Sequence, residues 1–206
     1  MTYTTSPSVS RLLISPSDFL AKYPHIKHLA SSALVFRTAD STHQVLLLQR
    51  APHDSYPLNW EFPGGGVDDD DESLVSAAMR ELWEETGLEA SHVQDLALMT
   101  PYEELSEEMK ARLGIVPVDE QVKVDADGMV ISFVETGNVW AKPIFITEVK
   151  NIEDVKIQDE EHAAFAWVTE DEVRNLQFAD GTTLTLVSEG VRRVILDGFR
   201  QRKEKQ

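Results

Sequence analysis

Apolar positions recur along this chain with two periods, and the periods divide it into elements. SSALVFR, residues 31–37, reads as a strand, ADSTH as its turn, and QVLLLQR, residues 44–50, as a buried return strand. Further strands are predicted in VQDLALMTPYE, ending near Pro101, in GMVISFVET, in VWAKPIFITEV and in AAFAWV. Helical spacing runs from about Ser73 to Thr86, with Leu74, Ala77, Ala78 and Leu82 on the apolar side and Gly87 as the stop. Ser15-Pro16-Ser17-Asp18 starts a short helix through Phe19 to Tyr23, and residues 103–114 read as an exposed helix ended by a glycine. Thr169 stands three residues before Glu172, a capping box. Leu184, Val187, Val191, Val194, Ile195 and Phe199 predict a C-terminal helix within Thr182 to Arg200.

This order of elements predicts one α/β domain with helices on both sides of a mixed sheet. The boundaries read as an N-terminal extension over 1–28, with a disordered Ser/Thr-rich start through about residue 10, a domain over 29–178, and a C-terminal helix with a charged tail over 179–206.

Composition narrows the function. A chain of 206 residues, 42% hydrophobic, can bury one substantial core. A formal net charge of −17 argues against a long nucleic-acid partner but not against a small phosphorylated substrate held through a metal. The absence of cysteine excludes disulfides, thiolate metal sites and cysteine nucleophiles. No run has the length of a membrane span or the apolar core of a signal peptide, so a cytoplasmic protein without a membrane partner is the expectation. The oligomeric state is left open, a homodimer included.

The chemistry concentrates in GGGVDDDDESLVSAAMRELWEETGLE, residues 64–89. On the predicted helix, Glu81, Glu84 and Glu85 fall within about 100° of one another. Each like-charge pair costs about 0.2–0.5 kcal/mol. The C-terminal end of the helix dipole adds about 0.3–1 kcal/mol per exposed group. Three glutamates alone would ordinarily be a solvated face. A hard divalent cation, which takes carboxylate oxygens and bridges to phosphates, gives them a reason to cluster. Arg80 can orient a neighbouring carboxylate, and the glycines let backbone approach a ligand closely.

Gly66, five residues, Glu72, seven residues, Arg80-Glu81-Leu82, one residue, Glu84-Glu85, one residue and Gly87-Leu88 resemble the Nudix box, G-x5-E-x7-R-E-U-x-E-E-x-G-U with U a bulky aliphatic, at every fixed position. VLLLQR with WEFPGG, and EHAAFAWVTEDEV, resemble flanking parts of the same family, so the likeness covers roughly residues 30–175. The resemblance implies a Nudix-type α/β/α sandwich with a mixed β-sheet. It implies cation-dependent hydrolysis, with Mg²⁺ or Mn²⁺, of a diphosphate bond in a nucleoside diphosphate linked to another group or in a nucleoside triphosphate. Glu84 and Glu85 would ligate metal, Glu81 would be a ligand or the base, and Arg80 would hold Glu81. Glu72 would stand behind them, paired with Arg80 or polarising a metal-bound water. The spacer counts five residues from Gly66 and six from Gly65, which leaves open which of the two offers its carbonyl.

Outside the box the candidates are Glu161, then Glu160, as a further acidic ligand or base, Arg50 as a phosphate contact, and Trp60 as a base-stacking or packing residue. Each has a plain structural alternative: loop acid, strand-end arginine, core tryptophan. Asp68 to Asp71 read as a solvated loop, His162 as structural, and Trp140, Phe165 and Trp167 as core. Phe133 and Tyr102 are weaker pocket candidates. Two alternatives stand beside the nucleotide hydrolase: a non-catalytic Nudix-fold ligand-binding module, and a hydrolase of a non-nucleotide diphosphate. Retention of Arg80, Glu81, Glu84 and Glu85 favours catalysis.

Overall fold

A strand whose side chains are buried on both faces needs cover on both sides, and the run LASSALVF makes one such strand the hub of this molecule. The structure, a computed structural model, describes residues 2–98 and 122–204. The predicted helix over 103–114, Pro101 and Tyr102 lie outside the described residues.

In chain order the elements are β1 (Thr4–Thr5), a 3-10 helix (Pro7–Leu12), α1 (Pro16–Lys22), β2 (His28–Ala39), β3 (Thr42–Arg50), β4 (Trp60–Glu61), β5 (Gly64–Gly66), α2 (Leu74–Thr86) and β6 (Ala90–Leu96). After the gap come β7 (Lys123–Asp125), β8 (Val130–Glu135), β9 (Asn138–Lys142), β10 (Ile144–Val149), β11 (His162–Thr169), α3 (Glu170–Asn175) and α4 (Glu189–Glu204). β2 pairs antiparallel with β3 and β5 and parallel with β9 and β10. β11 joins the far side of β3, so the sheet is mixed, as expected.

The period of two sorts β2 between two cores. Ala33 and Val35 enter a core that α2 covers with Leu74, Val75, Ala78, Met79 and Leu82. Leu34 and Phe36 enter a second core that α4 covers with Val194, Ile195 and Phe199. Gly198 lets α4 lie close: a Cβ there would stand 2.8 Å from the Phe36 ring and 3.0 Å from Leu34 Cδ1.

Three expectations change. The N-terminal residues are ordered: β1 pairs with β6, and Val9 and Leu12 are fully buried in the first core. Their Ser/Thr-rich surroundings mask two apolar anchors spaced one 3-10 turn apart. VWAKPIFITEV is two strands, not one, because Pro143 has no N–H for a ladder. Its carbonyl instead accepts from Ser32 N–H at 3.1 Å. The C-terminal helix begins at Glu189 rather than near Thr182. The residues before it lie along β4: Trp60 N–H donates to Thr185 O at 2.8 Å and Val187 N–H to Trp60 O at 3.0 Å. The Thr169–Glu172 capping box, the Ser15 cap and the Gly87 stop form as predicted.

Leu12→Ala is expected to destabilise the protein by about 2–5 kcal/mol, as for other fully buried leucines. A change under half a kilocalorie in chemical denaturation would mean that the N-terminal segment contributes nothing to the core.

Candidate functional site

The site begins where side chains are missing. β5 lies antiparallel on β2, with Gly64 opposite Ser32 and Gly65 opposite Ser31. Gly64 has φ +149, and a Cβ there would fall 1.9 Å from Ser32 Oγ. A Cβ on Gly65 would fall 2.6 Å from Glu81 Oε2. Without these two atoms the acidic end of α2 reaches the strand. Gly66 has open space at the same position, and its carbonyl accepts from Arg80 Nη2 at 2.9 Å. The antiparallel register also makes Gly65 a ladder partner of Ser31, so each of the two carbonyls already has a protein donor.

Arg80 gathers the box. Its guanidinium donates to Asp71 at 3.1 and 2.9 Å, to Glu81 Oε1 at 2.8 Å and to Glu84 Oε2 at 2.9 Å. The Asp71 bonds, more than any other contact, hold its pKa above the ordinary range. The expected pairing of Arg80 with Glu81 is present. The expected pairing with Glu72 is not: Glu72 is exposed, and Asp71 takes the arginine. Asp71 is correspondingly not a solvated loop residue, since its side chain is 7% exposed. The DDDD run folds back on itself, with Asp68 N–H donating to Asp71 Oδ2, and that turn carries Asp71 inward.

Glu85 stands apart from this network. It is buried, its Oε2 accepts from Gly64 N–H at 2.7 Å, and its Oε1 is 3.6 Å from His162 Nε2. Burial pushes its pKa well up, against the Gly64 N–H, and Glu61 and Glu81 push the same way. His162 brings little charge in return, because burial lowers its own pKa. Glu161 is exposed beside it, and ligand atoms of Glu85, Glu161 and His162 all lie within 4.8 Å of one another. Two sequence-based candidates, Glu85 and Glu161, are thus brought together from elements 74 residues or more apart. Glu160 is not in this group.

The sequence reading missed Glu61, His162 and Lys142. Glu61 is buried and ion-paired with Arg50, whose guanidinium also donates to Asp54 at 2.6 Å and to Ser55 O at 2.6 Å. An acid between Trp60 and Phe62 on a covered strand was its one available signal. Arg50 is no surface arginine; it ties the 51–59 loop to β4. Trp60 does not enter the cavity described next. It is 8% exposed and packs edge-on against Phe178 at 5.3 Å. Phe165 is 42% exposed rather than core, and Trp167 lies under the Arg37 guanidinium.

Beside the glycines opens a cavity of about 430 Å³, within the range of small-molecule sites. Gly64, Gly65, Arg50, Lys142, Phe133 and Trp140 are among its lining residues. Phe133 is where the sequence suggested; Trp140, expected in the core, is on the wall. The acids on this lining are Glu61 and Glu135; Glu85 and Glu81 stand behind it, against Gly64 and Gly65.

The donor set fits a divalent cation. Glu61 has Arg50, and Glu81 and Glu84 have Arg80, but Glu85 is buried with one N–H, an imidazole whose charged form burial disfavours, and no Arg or Lys ion pair among the described residues, although Lys142 favours its charge. A buried carboxylate without a counter-charge is costly. A hard cation on Glu85 and Glu161 would supply that charge through oxygen ligands.

A NUDIX domain matches residues 27–186. An RNA pyrophosphohydrolase of Psychrobacter is 49% identical over 59 residues, 29% of this chain and 31% of the relative. An uncharacterized Nudix hydrolase, NudL, of Escherichia coli is 33% identical over 85 residues, 40% of this chain and 44% of the relative. The chain thus matches less than half the length of these curated relatives. Among solved structures, a MutT protein from Methanosarcina mazei superposes with a TM-score of 0.55 at 24% identity, covering 85% of this chain and 95% of that one. The NUDIX domain of Shewanella oneidensis NrtR, complexed with ADP ribose, gives 0.54 at 18% identity, covering 92% and 99%. These structures share the fold described above.

Asp71→Ala should cost about 1–3 kcal/mol by freeing a partly buried arginine. Glu72→Ala should change stability by less than about 0.5 kcal/mol. Denaturation of the two variants side by side tests which acid serves Arg80; the reverse order would restore Glu72.

Proposed function

The chain belongs to the NUDIX family, and we propose that it hydrolyses a diphosphate bond with a divalent cation, Mg²⁺ or Mn²⁺, held at Glu85. The substrate class we assign is a small phosphorylated molecule: a nucleoside diphosphate linked to a second group, or a nucleoside triphosphate. The observation that carries this reading is the buried Glu85 carboxylate, hydrogen-bonded to Gly64, a glycine that lines a ligand-sized cavity.

Glu85 and Glu161 would hold the cation, with Glu81 and Glu84 at the same end of α2. A bound cation would neutralise phosphate charge and acidify water. The rest falls to the chain. Arg80 fixes Glu81 and Glu84 in one orientation, so neither carboxylate must be ordered when substrate arrives. Lys142 and Arg50 put positive charge on the cavity wall next to the glycines, where the diphosphate oxygens would lie. Gly64 and Gly65 leave backbone bare at the point of closest approach. With Glu161 on the cation, Glu81, held by Arg80, is the carboxylate we assign to take the proton of an attacking water, a role worth about 10²–10⁴ in rate.

The test is product release from a panel of organic diphosphates, with the products identified to locate the bond cut. Glu85→Gln is expected to lower turnover by about two orders of magnitude or more while the fold persists, and Glu161→Gln by about 10²–10⁴. Turnover equal to the parent in Glu85→Gln at saturating Mg²⁺ would sink the assignment of the cation to that carboxylate.

A further inference from the structure

The cavity has a wall that the family match does not reach. The match ends at residue 186. Val187, Ser188, Gly190, Val191 and Val194 follow it directly, and all five line the same space as Gly64 and Gly65. They are fastened there. Trp60 exchanges backbone hydrogen bonds with Thr185 and Val187, at 2.8 and 3.0 Å, and the next residue, Glu61, is the acid paired with Arg50. Further along, Val194 and Phe199 anchor α4 in the second core, and Arg192 donates to the carbonyls of Val173 and Arg174 at 3.1 and 2.6 Å. The wall is therefore held at one end by the strand that leads into the glycines and at the other by packed helices.

The same cavity is lined by aromatic side chains suited to an organic group. Phe133 and Trp140 are nearly parallel, 13° apart with centroids at 6.4 Å, and Trp140 is stacked on His28 at 4.6 Å. Trp140 Nε1 is buried with no hydrogen-bond partner among the described residues, so a donor stands ready for a ligand acceptor. An organic group in this space would meet apolar surface from Val191 and from the aromatic pair. The charged residues Arg50 and Lys142 would meet the phosphates instead.

We propose that Val187–Val194 is the specificity-determining wall of this site, selecting diphosphates that carry a bulky organic group with apolar faces. The inference rests on the diphosphate reading above for what sits at the glycines. It adds that residues beyond the shared domain decide what is attached. Nucleosides and prenyl chains both have the required chemistry, and the Trp140 donor favours the nucleoside.

Gly190 gives a clean lever. Its φ is not in the left-handed region, and an added Cβ would meet Ser188 Oγ and Val122 Cγ2 at 3.4 Å, both on residues that line the cavity. Gly190→Leu should fill the space without touching the acids. The probes are adenosine 5′-(α,β-methylene)diphosphate, geranyl methylenediphosphonate and bare methylenediphosphonate, with binding measured by calorimetry in Mg²⁺. The parent protein should bind one organic probe at least about tenfold more tightly than the bare diphosphonate, and Gly190→Leu should abolish that advantage while leaving the bare probe unchanged. Val191→Ala, a milder change at the same wall, should reduce the preference by about three- to tenfold. The proposal is overturned by a parent with no preference, by variants that weaken all probes alike, or by variants that bind as the parent does. Binding with preference but no hydrolysis of any diphosphate would remove the catalytic reading and leave the wall standing. Hydrolysis unaffected by Gly190→Leu would do the reverse.

Discussion

The site depends on the bare backbone at Gly64 and Gly65. A sheet strand and the end of a helix do not ordinarily approach so closely, because a side chain on the strand fills the space between them. Here the Gly65 position faces the Glu81 carboxylate, and Gly64 offers its N–H to Glu85. A Cβ at Gly65 would collide with the Glu81 carboxylate, and one at Gly64 would collide with Ser32 on β2. The bare backbone at Gly65 thus lets the end of α2 close on the sheet, and that at Gly64 lets β5 lie close on β2.

Charge is then divided unequally. Arg80 answers Asp71, Glu81 and Glu84 together, and its position within the helix fixes which of them it can reach. The residue four positions before Glu85 on its own helix is Glu81, an acid, so the helix supplies Glu85 with no cation. The neighbours from other elements add Glu61 and Glu161, and the imidazole among them is held neutral by burial. One network is ion-paired by the chain itself; in the other Lys142 favours the Glu85 charge, but burial and the neighbouring acids outweigh it. That asymmetry separates the positioning part of the box from the part that would bind the cation.

Much of this was legible in the sequence where local rules decide. α2, its Ser73 start and its Gly87 stop follow from spacing and capping alone. The strands over 31–37 and 44–50 followed from their apolar runs, and Glu161, named as a candidate acid, lies beside Glu85. What could not be read depends on contacts between distant segments. Glu72 and Asp71 are adjacent acids, and only the turn over 68–71 decides which one faces Arg80. Val9 and Leu12 look like isolated apolar residues until β1 pairs with β6. Trp140 reads as core because a pocket wall and a core strand share the same alternation.

The C-terminal residues show why sequence likeness and a working site need not share a boundary. A conformation hydrogen-bonded to β4 has no periodic pattern, so residues 182–188 looked like the first turns of the helix that follows them. Only the ladder to Trp60 reveals that they extend the sheet, and the extension turns Val187 and its successors toward the glycines. The backbone of β4 therefore serves two ends of the same ligand space: Glu61 on the strand itself, and a wall donated by residues more than a hundred positions later. Because both are anchored to one short strand, a shift of the C-terminal segment cannot leave the spacing between wall and glycines unchanged. Local geometry within and around α2 gathers the acids, while the wall at residues 187–194 is held by contacts between distant segments.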